Sequence, residues 1–160
     1  MIRLNTDALI SARLVRTGQG IIARNWTGKI VRTKGIVNQK MGEANKEEAP
    51  VVRNALLMAK DAGCTKIEVH TNCKLKVDQI FTSNGYDSNI ETVLEDIQDL
   101  KQDFEYCNFS FVSRSENEWS HSLAQFAVKL VQNIEWECDF PVWLLDIAKK
   151  EIRVVAPFCN

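Results

Sequence analysis

The chain has 160 residues, a length typical of one domain that can bury a sizeable core. Hydrophobic residues make up 45% of it and charged residues 26%, which are ordinary proportions for a globular protein. The formal net charge of −1 excludes a strong overall basic field, and with it tight duplex binding driven by charge alone. A local basic patch remains compatible with this balance.

The cysteines and histidines give no sign of a structural metal site. The five cysteines are scattered and none belongs to a CxxC pair, while His70 and His121 lie far apart in the sequence. An odd, dispersed set of cysteines fits a reducing compartment. No apolar run approaches the length of a membrane span, and no apolar signal core precedes the first strand-like segment. We therefore expect a cytoplasmic or nuclear protein with no membrane partner.

The first part of the chain predicts three strands. Residues 2–8 alternate apolar and polar side chains, which is typical of a strand. Residues 20–25 and 29–37 are two further strand candidates. The intervening "NWTGK" supplies a hairpin turn with Gly28.

Helical spacing begins after the third strand. Residues 46–62 place apolar side chains on one face, with Pro50 tolerable in the first turn and Gly63 suited to the C-terminal stop. Residues 64–71 predict the next strand. Residues 74–81 then predict a short helix.

The rest of the chain predicts a helix over 89–104, a strand over 106–114 and a final helix over 117–132. The order is therefore β-β-β-α-β-α-α-β-α. Short turns make the first three strands antiparallel, whereas the later strands follow helices and should run parallel to the first. This order predicts an α/β fold with a five-stranded mixed sheet flanked by helices. We expect one domain over residues 1–135 and a Trp- and Pro-containing tail over 136–160 that packs on or extends it.

Five segments in this order resemble the plant ribonuclease H-like family, the reverse-transcriptase-associated type. They are "RLNTDA", "GQGIIARNWTG", "EEAPVVRNALLMAKDAG", "IEVHTNCKLKVDQI" and "FVSRSENEWSHSLAQFA". The last is similar to the family's Arg-x-x-Asn-x-x-Ala-Asp-x-Leu-Ala signature, with Arg114, Asn117, Leu123 and Ala124 in place. The tail "WECDFPVWLL" resembles the Trp-x4-Pro-x-Trp-Leu ending of these plant proteins. The resemblance covers nearly the whole chain.

The resemblance implies a ribonuclease H-like fold with four acids that hold two magnesium ions. Matched position by position, these acids fall on four residues, of which two are acids and two are replacements: Asp7, Glu48, Asn72 and His121. Asn72 keeps an oxygen ligand without the charge, and His121 offers nitrogen, which suits manganese better than magnesium. We therefore expect these four residues to act as catalytic residues and as ligands of Mg²⁺ or Mn²⁺, with weakened binding.

Contacts with a duplex are expected from residues near that site, namely Arg114, Asn117, Lys74 and Trp119. The basic side chains would contact phosphates and Trp119 would offer a stacking surface. The structural alternatives are a core anchor for the tryptophan, a solvated charge for each basic residue, and an N-cap of the following helix for Asn72. The implied partner is an RNA-containing duplex, either RNA–DNA hybrid or double-stranded RNA.

Three functions remain open on the sequence. The first is a divalent-metal-dependent endoribonuclease with a charge-depleted site, which the two retained acids, Asp7 and Glu48, favour. The second is a module on the same fold that binds nucleic acid or protein without cutting. The third is a protein-interaction scaffold with no nucleic-acid contact, which fits the slightly acidic balance and the Trp-rich tail.

Overall fold

The computed structural model describes residues 1–39, 44–72 and 88–147. The predicted helix over 74–81 and the end of the predicted tail lie outside these ranges. None of the helices within them is long and apolar enough to cross a bilayer.

The strands of the described chain form one mixed sheet. Their order across the sheet is β5-β4-β1-β2-β3-β6. β1, β2 and β3 are antiparallel neighbours, and β4 and β5 run parallel to β1, as predicted. The strands are β1 (Ile2–Ser11), β2 (Arg16–Arg24), β3 (Ile30–Asn38), β4 (Lys66–Thr71), β5 (Tyr106–Phe111) and β6 (Ile134–Trp136).

The predicted number of five strands was one too few. β6 pairs antiparallel with β3, with Trp136 opposite Thr33. A strand of three residues is too short for apolar–polar alternation to be visible in the sequence. The proposed boundary after residue 135 falls inside this strand. A helical turn over residues 142–147 follows, and its Leu144 is fully buried in the same cluster as Trp119.

The long helices lie where the apolar spacing predicted them, with shifted ends. Gly63 ends the first helix with φ of +77°, and the Cys64 amide bonds to the Ala59 carbonyl at 3.0 Å, a Schellman-type stop. Pro50 lies inside that helix rather than in its first turn, because the helix begins two residues earlier than predicted. The helices are α1 (Ala44–Asp61), α2 (Ser88–Lys101) and α3 (Glu118–Ala127), the last preceded by a 3-10 turn, Arg114–Asn117.

Apolar side chains bury both faces of the sheet. α1 and α2 cover one face through a core that includes Leu4, Leu56 and Ile97. α3 covers the other face through Trp119 and Leu123, packed with residues of β2, β3 and the 142–147 turn. The sheet is therefore enclosed between two layers of helices, and polar residues in the central strands are shielded from water.

α3 approaches β2 closely because β2 carries glycines. A Cβ on Gly20 would lie 2.1 Å from the Ser120 carbonyl oxygen, and one on Gly18 would meet another α3 carbonyl at 2.3 Å. Backbone atoms cannot move aside as a flexible side chain can, so only glycine fits at these positions. Gly20 pairs with Asp7 across the β1–β2 ladder. The glycines thus bring the helix that carries His121 against the strand that carries Asp7.

Candidate active site

Asp7 lies in β1 and meets His121, which projects from the first turn of α3. His121 Nδ1 is 2.7 Å from Asp7 Oδ2, and the two side chains are 16% and 5% exposed. A carboxylate oxygen accepts, so Nδ1 carries the proton in this contact. Two of the four matched positions therefore come together, joined by a charge-assisted hydrogen bond.

The other ring nitrogen of His121 faces Arg114 in the 3-10 turn. Arg114 Nη2 lies 3.0 Å from His121 Nε2. A guanidinium group has donors and no acceptor, so Nε2 must accept. The two contacts select the tautomer with its proton on Nδ1 and engage both ring nitrogens. In this arrangement both ring nitrogens of His121 are engaged in hydrogen bonds, with Asp7 and with Arg114.

Glu48, in α1, reaches the same stretch of β1. Its Oε1 accepts a hydrogen bond from the Ala8 amide at 3.3 Å, and both Glu48 and Asp7 are buried. Burial raises the pKa of Asp7 above its ordinary value, while hydrogen bonds with His121, Ala8 and Glu48 lower it in part. Two buried carboxyl groups in contact are stabilised when they share a proton or a cation.

Asn72 follows the last residue of β4, which is parallel to β1. Thr71 is opposite Thr6 at the end of this ladder, and Asn72 and Asp7 are the residues that directly follow that pair. Its side chain is half-buried. The sequence prediction that Asn72 lies at the strand end beside Asp7 therefore agrees with the register of the sheet. The helix that Asn72 was considered to cap lies outside the described residues.

Three residues at this end of the sheet carry oxygen donors. Asp7 and Glu48 provide two carboxyl groups, and Asn72 provides an amide oxygen at the adjacent strand end. Oxygen ligands are those that Mg²⁺ prefers and Mn²⁺ accepts. Among the described residues, Asp7, Glu48 and His121 included, no three or more His, Cys, Asp and Glu side chains form a group that could hold a metal ion.

Two of the residues predicted to contact a duplex are buried. Trp119 is 1% exposed and Asn117 is 0% exposed, so neither side chain presents a surface to a duplex in this structure. The first turn of α3 directs the indole into the core, where the Arg24 guanidinium lies 4.4 Å from the ring centroid. Arg114 is exposed and remains available to a phosphate. Lys74 lies outside the described residues.

Asn5 was not identified from the sequence, although it is buried two residues before Asp7 on the same face of β1. Its Nδ2 donates to Asn117 Oδ1 at 3.1 Å, and its Oδ1 accepts from Arg24 Nη2 at 2.9 Å. The signal in the sequence was that Asn5 and Asp7 are polar side chains at alternate positions of β1. Because β1 lies between β4 and β2, such side chains must find hydrogen-bond partners inside the protein.

The profile of the family described as "Reverse transcriptase-like" matches residues 5–127. The solved structure of RNase H1 from Halobacterium salinarum NRC-1 has a TM-score of 0.73 and 20% identity, covering 79% of this chain and 96% of that one. The N-terminal RNase H domain of Rv2228c from Mycobacterium tuberculosis has a TM-score of 0.72 and 18% identity, covering 79% of this chain and 92% of that one. LC11-RNase H1, solved in complex with RNA/DNA hybrid, has a TM-score of 0.72 and 18% identity, covering 80% of this chain and 96% of that one. No curated protein sequence matches this chain.

These likenesses confirm the predicted α/β ribonuclease H-like fold, with six strands in the sheet in place of five. At 18–20% identity they establish the fold and leave the activity to the chemistry of the site. The family match spans every strand from β2 to β5 and all four matched positions of the site. The chain therefore belongs to the reverse-transcriptase-like family and has its ribonuclease H-like fold.

Proposed function

We propose that this protein binds RNA–DNA hybrid and cleaves the RNA strand in a divalent-metal-dependent reaction. The observation that carries the proposal is the pair of buried carboxyl groups, Asp7 and Glu48, held against the same stretch of β1. Burying two carboxyl groups together is unfavourable for folding, which is typical of a functional site. LC11-RNase H1, which shares the fold, is known in complex with RNA/DNA hybrid.

Asp7, Glu48 and the Asn72 oxygen would hold the cation, Mg²⁺ or Mn²⁺. When bound, such an ion stabilises the charge that develops on a phosphodiester and lowers the pKa of a bound water. His121 donates its Nδ1 proton to Asp7 and thereby fixes the rotation of that carboxylate. Arg114, exposed and one hydrogen bond away from His121, is placed to bind a phosphate of the duplex.

The test is a cleavage assay with labelled RNA–DNA hybrid, double-stranded RNA and double-stranded DNA, each with Mg²⁺, with Mn²⁺ and with a chelator. We expect cuts in the RNA strand of the hybrid with either metal and none with the chelator. Equal cleavage of double-stranded RNA would change the substrate to any RNA-containing duplex. Cleavage that persists in the chelator would exclude a metal-dependent site.

One observation favours a second candidate, a module that binds the duplex without cutting it. His121 stands at the fourth matched acid position. It donates a hydrogen bond to Asp7, whereas an acid at that position would offer an oxygen ligand. This second function would be correct if the wild type binds the hybrid but leaves it intact with both metals. The variants Asn72→Asp and His121→Asp, which restore acids at the matched positions, should then leave it intact as well.

Arg114→Glu is expected to weaken hybrid binding about tenfold, equally for different sequences, because a phosphate contact carries no base information. With a net charge of −1, the salt dependence should be shallow, with a log–log slope on the order of −2 to −4, and the variant should make it shallower by about one. Fluorescence anisotropy across a salt series measures both quantities. Lys129→Glu, the same charge change on an exposed residue near the far end of α3, is the control. Equal losses in the two variants would mean that only the overall field matters.

Asn72→Asp is expected to tighten Mg²⁺ binding about tenfold and to raise cleavage, because it adds charge to an existing oxygen donor. His121→Asp should help less, since it removes the proton donor of Asp7 and adds a third carboxyl group beside two buried ones. Calorimetric titration with Mg²⁺ and Mn²⁺ measures the affinities. Asn108→Asp, an equal charge change at an exposed position on β5, is the control. A larger gain from His121→Asp would contradict the assignment of ligands.

A further inference from the structure

A chain of buried polar side chains runs from β2 through β1 to the start of α3, beside the Asp7–His121 pair. Arg24 Nη2 donates to Asn5 Oδ1 at 2.9 Å, and Asn5 Nδ2 donates to Asn117 Oδ1 at 3.1 Å. Asn117 Nδ2 donates to the Thr6 carbonyl oxygen at 2.8 Å. Ser120 Oγ–H also donates to Asn117 Oδ1, at 2.8 Å. Nearly all of these groups are shielded from water.

Arg24 at one end and the Thr6 carbonyl at the other require the same direction for the hydrogen bonds between them. A guanidinium group can only donate, so it requires Asn5 to present its oxygen. The Asn5 NH₂ group must then face Asn117, which presents its own oxygen and turns its NH₂ group to Thr6. Stacking on Trp119, with 4.4 Å from Arg24 Cζ to the ring centroid, holds the guanidinium in place.

Asn117, at one end of this network, contacts the segments that carry Asp7 and His121. The Thr6 carbonyl belongs to the peptide group that joins Thr6 to Asp7, so its bond from Asn117 fixes β1 immediately before the carboxylate. Asn117 also precedes α3, and the Ser120 bond ties it to the residue directly before His121. A reversed amide would leave a buried carbonyl facing an oxygen, which is unfavourable.

We infer that Asn5 and Arg24 are positioning residues, which complete the hydrogen-bonded network that aligns Asp7 with the Nδ1–H of His121. The inference deepens the proposed function, and it rests on that function only for the consequence that cleavage depends on the alignment. Arg24 acts through Asn5, and Asn5 acts through Asn117.

The test is the imidazole spectrum of the ¹⁵N-labelled full chain, without nucleic acid or metal. The chain has two histidines, and His70, whose Nε2 lies 2.8 Å from Glu68 Oε1 on β4, is an internal reference. In the wild type we expect the His121 proton on Nδ1, in slow exchange with water. Arg24→Met removes the donor and Asn5→Asp removes the Asn5 NH₂ group. In either variant we expect the Nδ1 proton to exchange about tenfold faster with water. A tenfold change in rate corresponds to the loss of about one net hydrogen bond.

Arg24→Lys is the matched control, because lysine loses the stacking on Trp119 and remains a pure donor. Its melting temperature should fall, yet the His121 spectrum should stay as in the wild type. A wild-type His121 spectrum in folded Arg24→Met or Asn5→Asp would overturn the inference. So would equal changes in Arg24→Lys and Arg24→Met, which would show a packing role only. If Arg24→Met fails to fold, comparing the His121 spectra of Asn5→Asp and Arg24→Lys still tests the inference. A wild type that shows the expected spectrum and cleaves nothing would refute the proposed function and leave the inference intact.

Discussion

Gly20→Ala is expected to lower the free energy of unfolding by more than about 2 kcal/mol and to separate Asp7 from His121. The added Cβ would lie 2.1 Å from the Ser120 carbonyl oxygen and 2.8 Å from the Ala124 amide nitrogen. Both atoms belong to the backbone of α3, so no change of rotamer can relieve the contact. The helix must move away from β2 and carry His121 with it. Urea unfolding gives the stability, and the His121 imidazole spectrum reports the separation.

Gly35→Ala is the control for this effect, because Gly35 lies on β3 under the same helix. Its added Cβ would meet side-chain atoms, with Ile134 Cγ2 at 3.2 Å and Ala127 Cβ at 3.3 Å. Shifts of a few tenths of an ångström relieve such contacts, so we expect a loss below about 1 kcal/mol. Similar losses for Gly20→Ala and Gly35→Ala would show that the close approach of α3 to β2 is not required.

The order and direction of the main elements were predictable because they depend on local patterns. Short turns such as the one at Gly28 force antiparallel neighbours, and helices between strands force parallel ones. β6 was not predictable, since three residues that pair with β3 carry too little pattern of their own. The sequence indicated a glycine-bearing hairpin that includes β2. The role of Gly20, which is to let α3 approach β2 closely, depends on a helix 100 residues later in the chain.

The positions of the site were predicted better than the roles of its residues. The matched motifs located Asp7, Glu48 and His121, and the structure brings each of them to the same stretch of β1. The role of His121 depends on which nitrogen carries the proton, and contacts with two different elements fix that. Trp119 was considered as a stacking surface, because it lies at a helix entry, with a core anchor as the alternative. The rotation of α3 about its own axis, which buries it, follows from packing on β2.

The last expectation concerns Asp7 itself, which should be needed for cleavage and unfavourable for folding. The pKa of Asp7 is raised in the folded protein, chiefly by burial. Below the ordinary pKa of an aspartate, both the folded and the unfolded chain carry the proton, and the burial penalty on the charge is absent. As the pH rises through the folded pKa, the charge must be buried and stability is lost. At neutral pH the wild type therefore carries a penalty that a neutral side chain of the same shape avoids.

Asp7→Asn should accordingly raise the melting temperature at neutral pH and raise it less in acid, because asparagine stays uncharged and its Oδ1 can still accept the proton of His121 Nδ1. Cleavage of RNA–DNA hybrid should fall by at least about tenfold, or about 1.4 kcal/mol of transition-state stabilisation, because a carboxylate ligand has been lost. Calorimetric melting over a pH series and the hybrid assay measure the two effects. Asp99→Asn, at an exposed position of α2, is the control and should change neither. A neutral-pH melting temperature that falls in Asp7→Asn would mean that the buried charge stabilises the fold, and full cleavage in that variant would place the reaction at another site.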